Sequence, residues 1–88
     1  MLSIELCPGF RKIFKKRIGN DSVLNKRVGE RIETFKNNPA FPLLHDHALK
    51  GEKEGLRSFS ITGDIRVIYY IQGTTAYFID IGSHNQVY

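Results

Sequence analysis

An α+β fold, with an N-terminal strand and an α-hairpin packed on a C-terminal antiparallel β-sheet, follows from three observations on the 88-residue chain. Two stretches in the first half repeat apolar residues at helical spacing. Three stretches in the second half are β-branched and aromatic, with turn residues between them. Apolar residues make up 41% of the chain, enough for one small core, so residues 1–88 read as a single domain.

Each element has its own warrant. Residues 2–6 alternate weakly and stop at Pro8-Gly9, which predicts a short strand and a turn. Phe10, Ile13, Phe14 and Ile18 then recur on one helical face until Gly19-Asn20 ends the helix. Asp21 or Ser22 can cap a second helix, because either side chain accepts from the free amides of the first turn. Leu24, Val28, Ile32 and Phe35 form its apolar stripe, and Asn37-Asn38-Pro39 closes it. Two helices with one stripe each need a further layer to cover them. Residues 40–55 read as a loop, and residues 56–61, 65–71 and 75–81 as an antiparallel meander turning at Thr62-Gly63-Asp64 and Gly73-Thr74. Along its middle strand Ile65, Val67, Tyr69 and Ile71 face the helices, while Arg66, Ile68 and Tyr70 face out onto an amphipathic, aromatic surface suited to binding.

The net charge is +4, and nine of the thirteen Lys and Arg residues lie between Phe10 and Asn38. Such asymmetry favours a polyanion or an acidic protein partner, although a solvated helix face would look the same. No stretch approaches the roughly 20 apolar residues of a membrane span, and Glu5 stands where a signal peptide needs positive charge, so a cytoplasmic protein is expected. Cys7 is the only cysteine, which leaves no internal disulfide and no metal-binding pair; neither metal nor cofactor is expected.

The candidate chemical groups cluster late in the chain. His84 follows Gly82-Ser83 beyond the last strand, a poor place for a core residue and a good one for a proton-transfer group. His47 sits in the segment that leads into the sheet, with His45 read as a solvated neighbour and no spacing that completes a metal site. Arg57 and Arg66 stand among core-forming strand residues, where arginine pairs with a carboxylate or reaches a planar anion such as phosphate. Asp64 is their evident structural partner, and its place in a turn is equally explained by local geometry. Tyr88 offers an aromatic plate on which an unpaired base can stack, whereas Tyr69, Tyr70 and Tyr77 read as packing.

The pattern His47-Ala-Leu49-Lys-Gly51, Arg57, Gly63-Asp64-Ile-Arg66-Val-Ile-Tyr69 and Ile81-Gly-Ser-His84-Asn-Gln-Val-Tyr88 resembles the RelE/ParE superfamily of toxins, above all its YafQ-like branch. The resemblance spans residues 1–88 in element order and 47–88 in motif detail. It implies a microbial-ribonuclease-like fold, ribosome-dependent cleavage of messenger RNA, and a cognate antitoxin that neutralises the toxin, in a heterotetramer that binds operator DNA through the antitoxin. Carried over, His47 and His84 transfer protons, Arg57 stabilises transition-state charge, Asp64 orients a histidine or assists, and Tyr88 holds a base. Arg66, Lys50, Lys12, Lys15 and Lys16 would hold RNA backbone. Ser60 departs from the branch, which carries a histidine there, while Arg66 sits closer to the RelE pattern.

These residues fit metal-independent attack by a ribose 2′-hydroxyl on the adjacent phosphorus, a chemistry available to RNA and not to DNA. Which histidine is the base stays open. So do two rivals: a ParE-like protein that inhibits DNA gyrase by binding alone, and a weakened toxin acting through antitoxin binding and control of its own operon.

Overall fold

The computed structural model describes residues 1–88. Its five strands, β1 (Ser3–Leu6), β2 (His47–Ala48), β3 (Arg57–Ser60), β4 (Ile65–Gln72) and β5 (Thr75–Ser83), form one sheet in the order β1-β5-β4-β3-β2. The expected meander is β3-β4-β5, and a strand is added on each side. β1 lies parallel to β5, with Ser3 opposite Thr75 and Leu6 opposite Phe78. β2 lies antiparallel to β3. Residues 40–55 are therefore not a plain loop. They hold β2 and two 3-10 turns, Pro42–Leu44 and Gly51–Lys53, which satisfy backbone groups that an irregular segment would leave to water.

Two helices, α1 (Phe10–Arg17) and α2 (Ser22–Asn37), form the second layer. Between them Gly19 adopts φ 62°, a left-handed turn that costs glycine nothing. The cap of α2 is Asp21, whose carboxylate accepts the Leu24 amide at 3.0 Å. Phe35, from the last turns of α2, is the centre of the core. Its ring lies flat on Phe59, 4.4 Å between centroids, and meets Tyr69 edge-on at 4.8 Å. Phe78 completes the group at 5.9 Å. Contacts of this kind contribute about 0.5–1.5 kcal/mol each beyond the area they bury.

The pleat of β4 sorts its side chains much as the alternation predicts. Val67 and Tyr69 are buried in the helix-side core and Ile65 packs against it. Ile71 departs: it lines an open cleft of about 560 Å³ with Leu2 and Phe41. On the outer face Ile68 is also buried, because the chain does not end in a loop. β5 runs on to Ser83, and His84–Val87 then form a helical turn, α3, over β4 and β5, with Val87 buried beneath it. Ser83 and Gln86 make a capping box, the Ser83 amide donating to Gln86 Oε1 at 2.7 Å. Gly82 makes this fold-back possible, since a Cβ there would come within 2.6 Å of Gln86 Oε1 and 3.0 Å of Arg17 Nη1.

Arg57 lies on the helix side of the sheet, opposite Tyr69 in the β3–β4 register. Its partner is Asp46, not Asp64. Asp46 Oδ1 accepts from Arg57 Nε at 2.8 Å and Nη2 at 2.7 Å, and Oδ2 accepts the Tyr69 hydroxyl. The Asp46 hydrogen bond leads the causes that raise the Arg57 pKa further. This triad fastens the segment before β2 to the sheet. Tyr69 is thus more than packing.

Burial first, and the Asp46 hydrogen bond second, raise the Tyr69 pKa above its ordinary value. A phenol held neutral in the fold contributes stability that is complete below about pH 10, the ordinary tyrosine value, and is lost as pH climbs toward the folded value. Tyr69→Phe should cost about 1–3 kcal/mol at neutral pH, because buried Asp46 loses a donor. It should also flatten the decline in stability above about pH 10. Urea unfolding at neutral and stepped alkaline pH checks both, and an unchanged alkaline limb would refute the assignment.

Candidate active site on the outer sheet face

The same pleat that turns Phe59 and Val67 inward turns Ser58, Ser60 and Arg66 outward. In register, Ser60 lies opposite Arg66, and Ser58 lies opposite Ile68 on one side and His47 on the other. Ser58 and Ser60 are both buried. Arg66 lies across them, donating from Nε to Ser58 Oγ at 2.6 Å and from Nη1 to Ser60 Oγ at 2.6 Å. Tyr88 joins from α3's far end: its hydroxyl donates to Ser58 Oγ at 2.6 Å and accepts from Arg66 Nε at 2.9 Å.

The opposite rim comes from the segment before β2. His45 takes φ 45°, the only non-glycine residue with positive φ. That conformation costs roughly 1–2 kcal/mol. It aims the His45 carbonyl at the site, where it accepts from Arg66 Nη2 at 3.1 Å and from His47 Nδ1 at 3.0 Å. A proton on Nδ1 is what makes the second contact a hydrogen bond, so it selects the tautomer whose Nε2 carries a free lone pair. Arg66 Nη2 also lies 3.4 Å from His47 Nδ1. His84, exposed at the start of α3, sets its ring edge-on to Tyr88 with centroids 4.5 Å apart.

The electrostatics of Arg66 set it apart from Arg57. The ion pairs of the protein are Arg17–Asp80, Lys36–Glu33 and Arg57–Asp46. Arg66 is in none of them; its acceptors are hydroxyls and a carbonyl, all neutral. A guanidinium carries five N–H groups. The Nε one, one on Nη1 and one on Nη2 are engaged, which leaves one on each terminal nitrogen. The charge is held in place and uncompensated, the condition under which an incoming anion gains most.

His47, Arg66, Tyr88 and His84 are thus brought together. Arg57 is not; it lies on the other face. Asp64 is exposed in the β3–β4 turn, where its amide donates to Thr62 Oγ1 at 3.2 Å and it pairs with neither arginine. Lys50 lines a recess of about 330 Å³ with Lys53 and Tyr88. Lys12, Lys15 and Lys16 are exposed on α1, along the flank of β5. Sequence reading missed Ser58 and the His45 carbonyl, and marked Ser60 only as the place of an absent histidine. The signal was there: two serines flanking Phe59 put polar groups on one face of a core strand. No three His, Cys, Asp or Glu side chains converge closely enough to form a metal site.

Solved structures share this architecture. A copper-bound mutant toxin from Helicobacter pylori is 29% identical, with a TM-score of 0.76 over all of both chains. YafQ from Escherichia coli, at 20% identity, has a TM-score of 0.76 over 100% of this chain and 99% of its own. YoeB in a heterotetrameric YoeB–YefM toxin–antitoxin complex from Staphylococcus aureus, at 21% identity, has a TM-score of 0.74 over 96% and 98%. No curated protein matches the chain in sequence. The family model described as the bacterial toxin of a type II toxin–antitoxin system, YafQ, matches residues 2–88. With its RelE-like sheet and helices, the chain belongs to the YafQ family of type II toxin–antitoxin toxins.

Proposed function

We propose that this toxin is a metal-independent RNA endonuclease that cleaves messenger RNA on the ribosome. The observation that carries the reading is Arg66: a fixed guanidinium on an open face, two N–H groups free, with His47 beside it and His84 against the Tyr88 that holds it. His47 Nε2 takes the proton of a ribose 2′-hydroxyl, whose oxygen attacks the adjacent phosphorus in line. The bond from phosphorus to the 5′-oxygen breaks, and His84 gives that oxygen a proton. The products are a 2′,3′-cyclic phosphate and a 5′-hydroxyl. Arg66, rather than Arg57, faces the equatorial oxygens as charge builds on them. The Tyr88 hydroxyl positions Arg66, and Tyr88, an exposed residue, offers a base its ring as a stacking surface. Asp64, exposed beside the site, is left an outer, supporting part, with Lys50 on RNA backbone.

Ser60 then has a positive role in place of the histidine of the resemblance: it seats the guanidinium. As the Staphylococcus YoeB is bound to YefM, a cognate antitoxin is the partner proposed here, its carboxylates covering Arg66 and the basic helices, and the assembly contacting operator DNA through the antitoxin.

Two outcomes are expected. Arg66→Lys should lower single-turnover cleavage of ribosome-bound message by about 10²–10³ with the fold intact, since a lysine cannot hold two oxygens at once. Arg57→Gln should leave the chemical step within a few-fold and reduce thermal stability instead. The reverse pattern would return the charge-stabilising role to Arg57, and altered DNA supercoiling with intact message would favour a gyrase inhibitor.

The two histidines separate by leaving group. His47→Ala and His84→Ala should each slow cleavage by about 10²–10⁴. With a 5′-bridging sulfur in place of the 5′-oxygen, the leaving group needs no acid, so His84→Ala should recover most of its rate and His47→Ala none. Recovery of His47→Ala alone would exchange the roles.

A further inference from the structure

Next to the candidate site, on the α2 side, lies a polar cavity of about 320 Å³ that the mechanism above does not use. Its walls are Arg27 and Arg31 of α2, His45, Ser60 and Thr62, with Arg66 shared between cavity and site. Arg27 and Arg31 are one helical turn apart, so their side chains leave the same face of α2 and repel each other. Neither takes part in an ion pair, although α2 also carries Glu30 and Glu33 and Asp21 shares a neighbouring recess with Arg27 and Thr62. Arg31 is held toward the cavity by a neutral acceptor, donating from Nη1 to the Leu43 carbonyl at 3.2 Å. Gly63 contributes no side chain, and a Cβ there would meet nothing within 4 Å, which keeps the wall open.

Three guanidinium groups around a polar hollow, with hydroxyls among them and no acid, form a site for a phosphate. One of the three also serves the proposed chemistry, so a polyanion lying across Arg66 presents its next charge here. We propose that this cavity is a second phosphate subsite, which holds a backbone phosphate flanking the scissile one of a single-stranded RNA. The inference rests on the nuclease reading for the identity of that RNA, and on the cavity alone for its anion. It assigns Arg27 and Arg31 to substrate positioning, apart from the α1 lysines. It also explains why α2 tolerates two unpaired arginines at a repulsive spacing.

The test uses the whole protein and a short single-stranded oligoribonucleotide in which each phosphate in turn is replaced by a neutral methylphosphonate. Binding is followed by fluorescence anisotropy, and cleavage of ribosome-bound message is measured in parallel. The wild type should lose affinity about tenfold for a substitution at one flanking phosphate as well as at the scissile one. Arg27→Gln with Arg31→Gln should lose the flanking sensitivity and keep the scissile one. Its slope of log affinity against log salt should fall by about 0.7 for each phosphate contact removed. Thermal unfolding of the variant shows that the change is not a loss of fold, and the single Arg27→Gln variant should give part of the effect. Cleavage by the wild type, with the same methylphosphonate pattern in the double variant, would overturn the subsite and leave the nuclease standing. The expected pattern without any cleavage would keep the subsite and overturn the nuclease. An RNA that does not bind the wild type at all would overturn the subsite, and the nuclease with it only where ribosome-bound message also stays intact.

Discussion

The pleat of β4 is the constraint on which this structure turns. Consecutive residues on one strand must serve opposite faces, so Val67 and Tyr69 reach the core only if Arg66 and Ile68 do not. A slip of one residue would carry Arg66 among Phe35, Phe59 and Phe78, where an unpaired guanidinium is prohibitive, and would put Tyr69 in water. The aromatic core therefore fixes the position of the candidate catalytic cation without touching it. β5 absorbs the residual mismatch: the pairing shifts between Ile68, opposite Asp80, and Tyr69, opposite Phe78, which leaves Ile79 as the extra residue of a bulge. Beyond that bulge β5 leads to Gly82 and α3, so the irregularity aims the turn that carries His84 and ends at Tyr88.

Two arginines, on the two faces of neighbouring strands, show how surroundings decide the use of a charge. Arg57 meets a carboxylate that a tyrosine also holds, and its charge is spent on fastening a segment to the sheet. Arg66 meets serines, a phenol and a carbonyl, which orient it and leave its charge available. The second arrangement is the costlier one for the free protein. It is also the one that an anionic transition state, an RNA backbone or an acidic partner would relieve.

Helices, the three-stranded meander and, Ile71 apart, the inward set of β4 were legible in the sequence because each repeats a period over several residues. What lacked a period was not. β2 is two residues long and exists because Ser58 and Arg57 offer it an edge; β1 pairs with a strand at the far end of the chain, which no local pattern announces. α3 is one turn whose only signal is Ser83 three residues ahead of Gln86. The placement of Arg57 beside His47 came from motif order, which carries no information about faces. Counting parity along Arg57-Ser-Phe-Ser60 would have separated Arg57 and Phe59 from Ser58 and Ser60. The motif histidines carry a side-chain signature, while the backbone carbonyl of His45 that binds one of them has none at all.

The parallel pairing of β1 with β5 has a consequence for the order of assembly. Ser3 finds its place only when Thr75 is available, and every strand between them must be threaded before that contact closes. Such long-range pairing is slow to form and contributes nothing until late in folding. Cys7, just past β1, donates its amide to the Phe78 carbonyl, so the join between β1 and α1 waits for the same event. A half-made chain thus has helices with their stripes uncovered and neither Arg66 nor Tyr88 in position. The topology therefore postpones completion of the candidate site until β5 and α3 have been made, so the site cannot form on the helices and β1 alone.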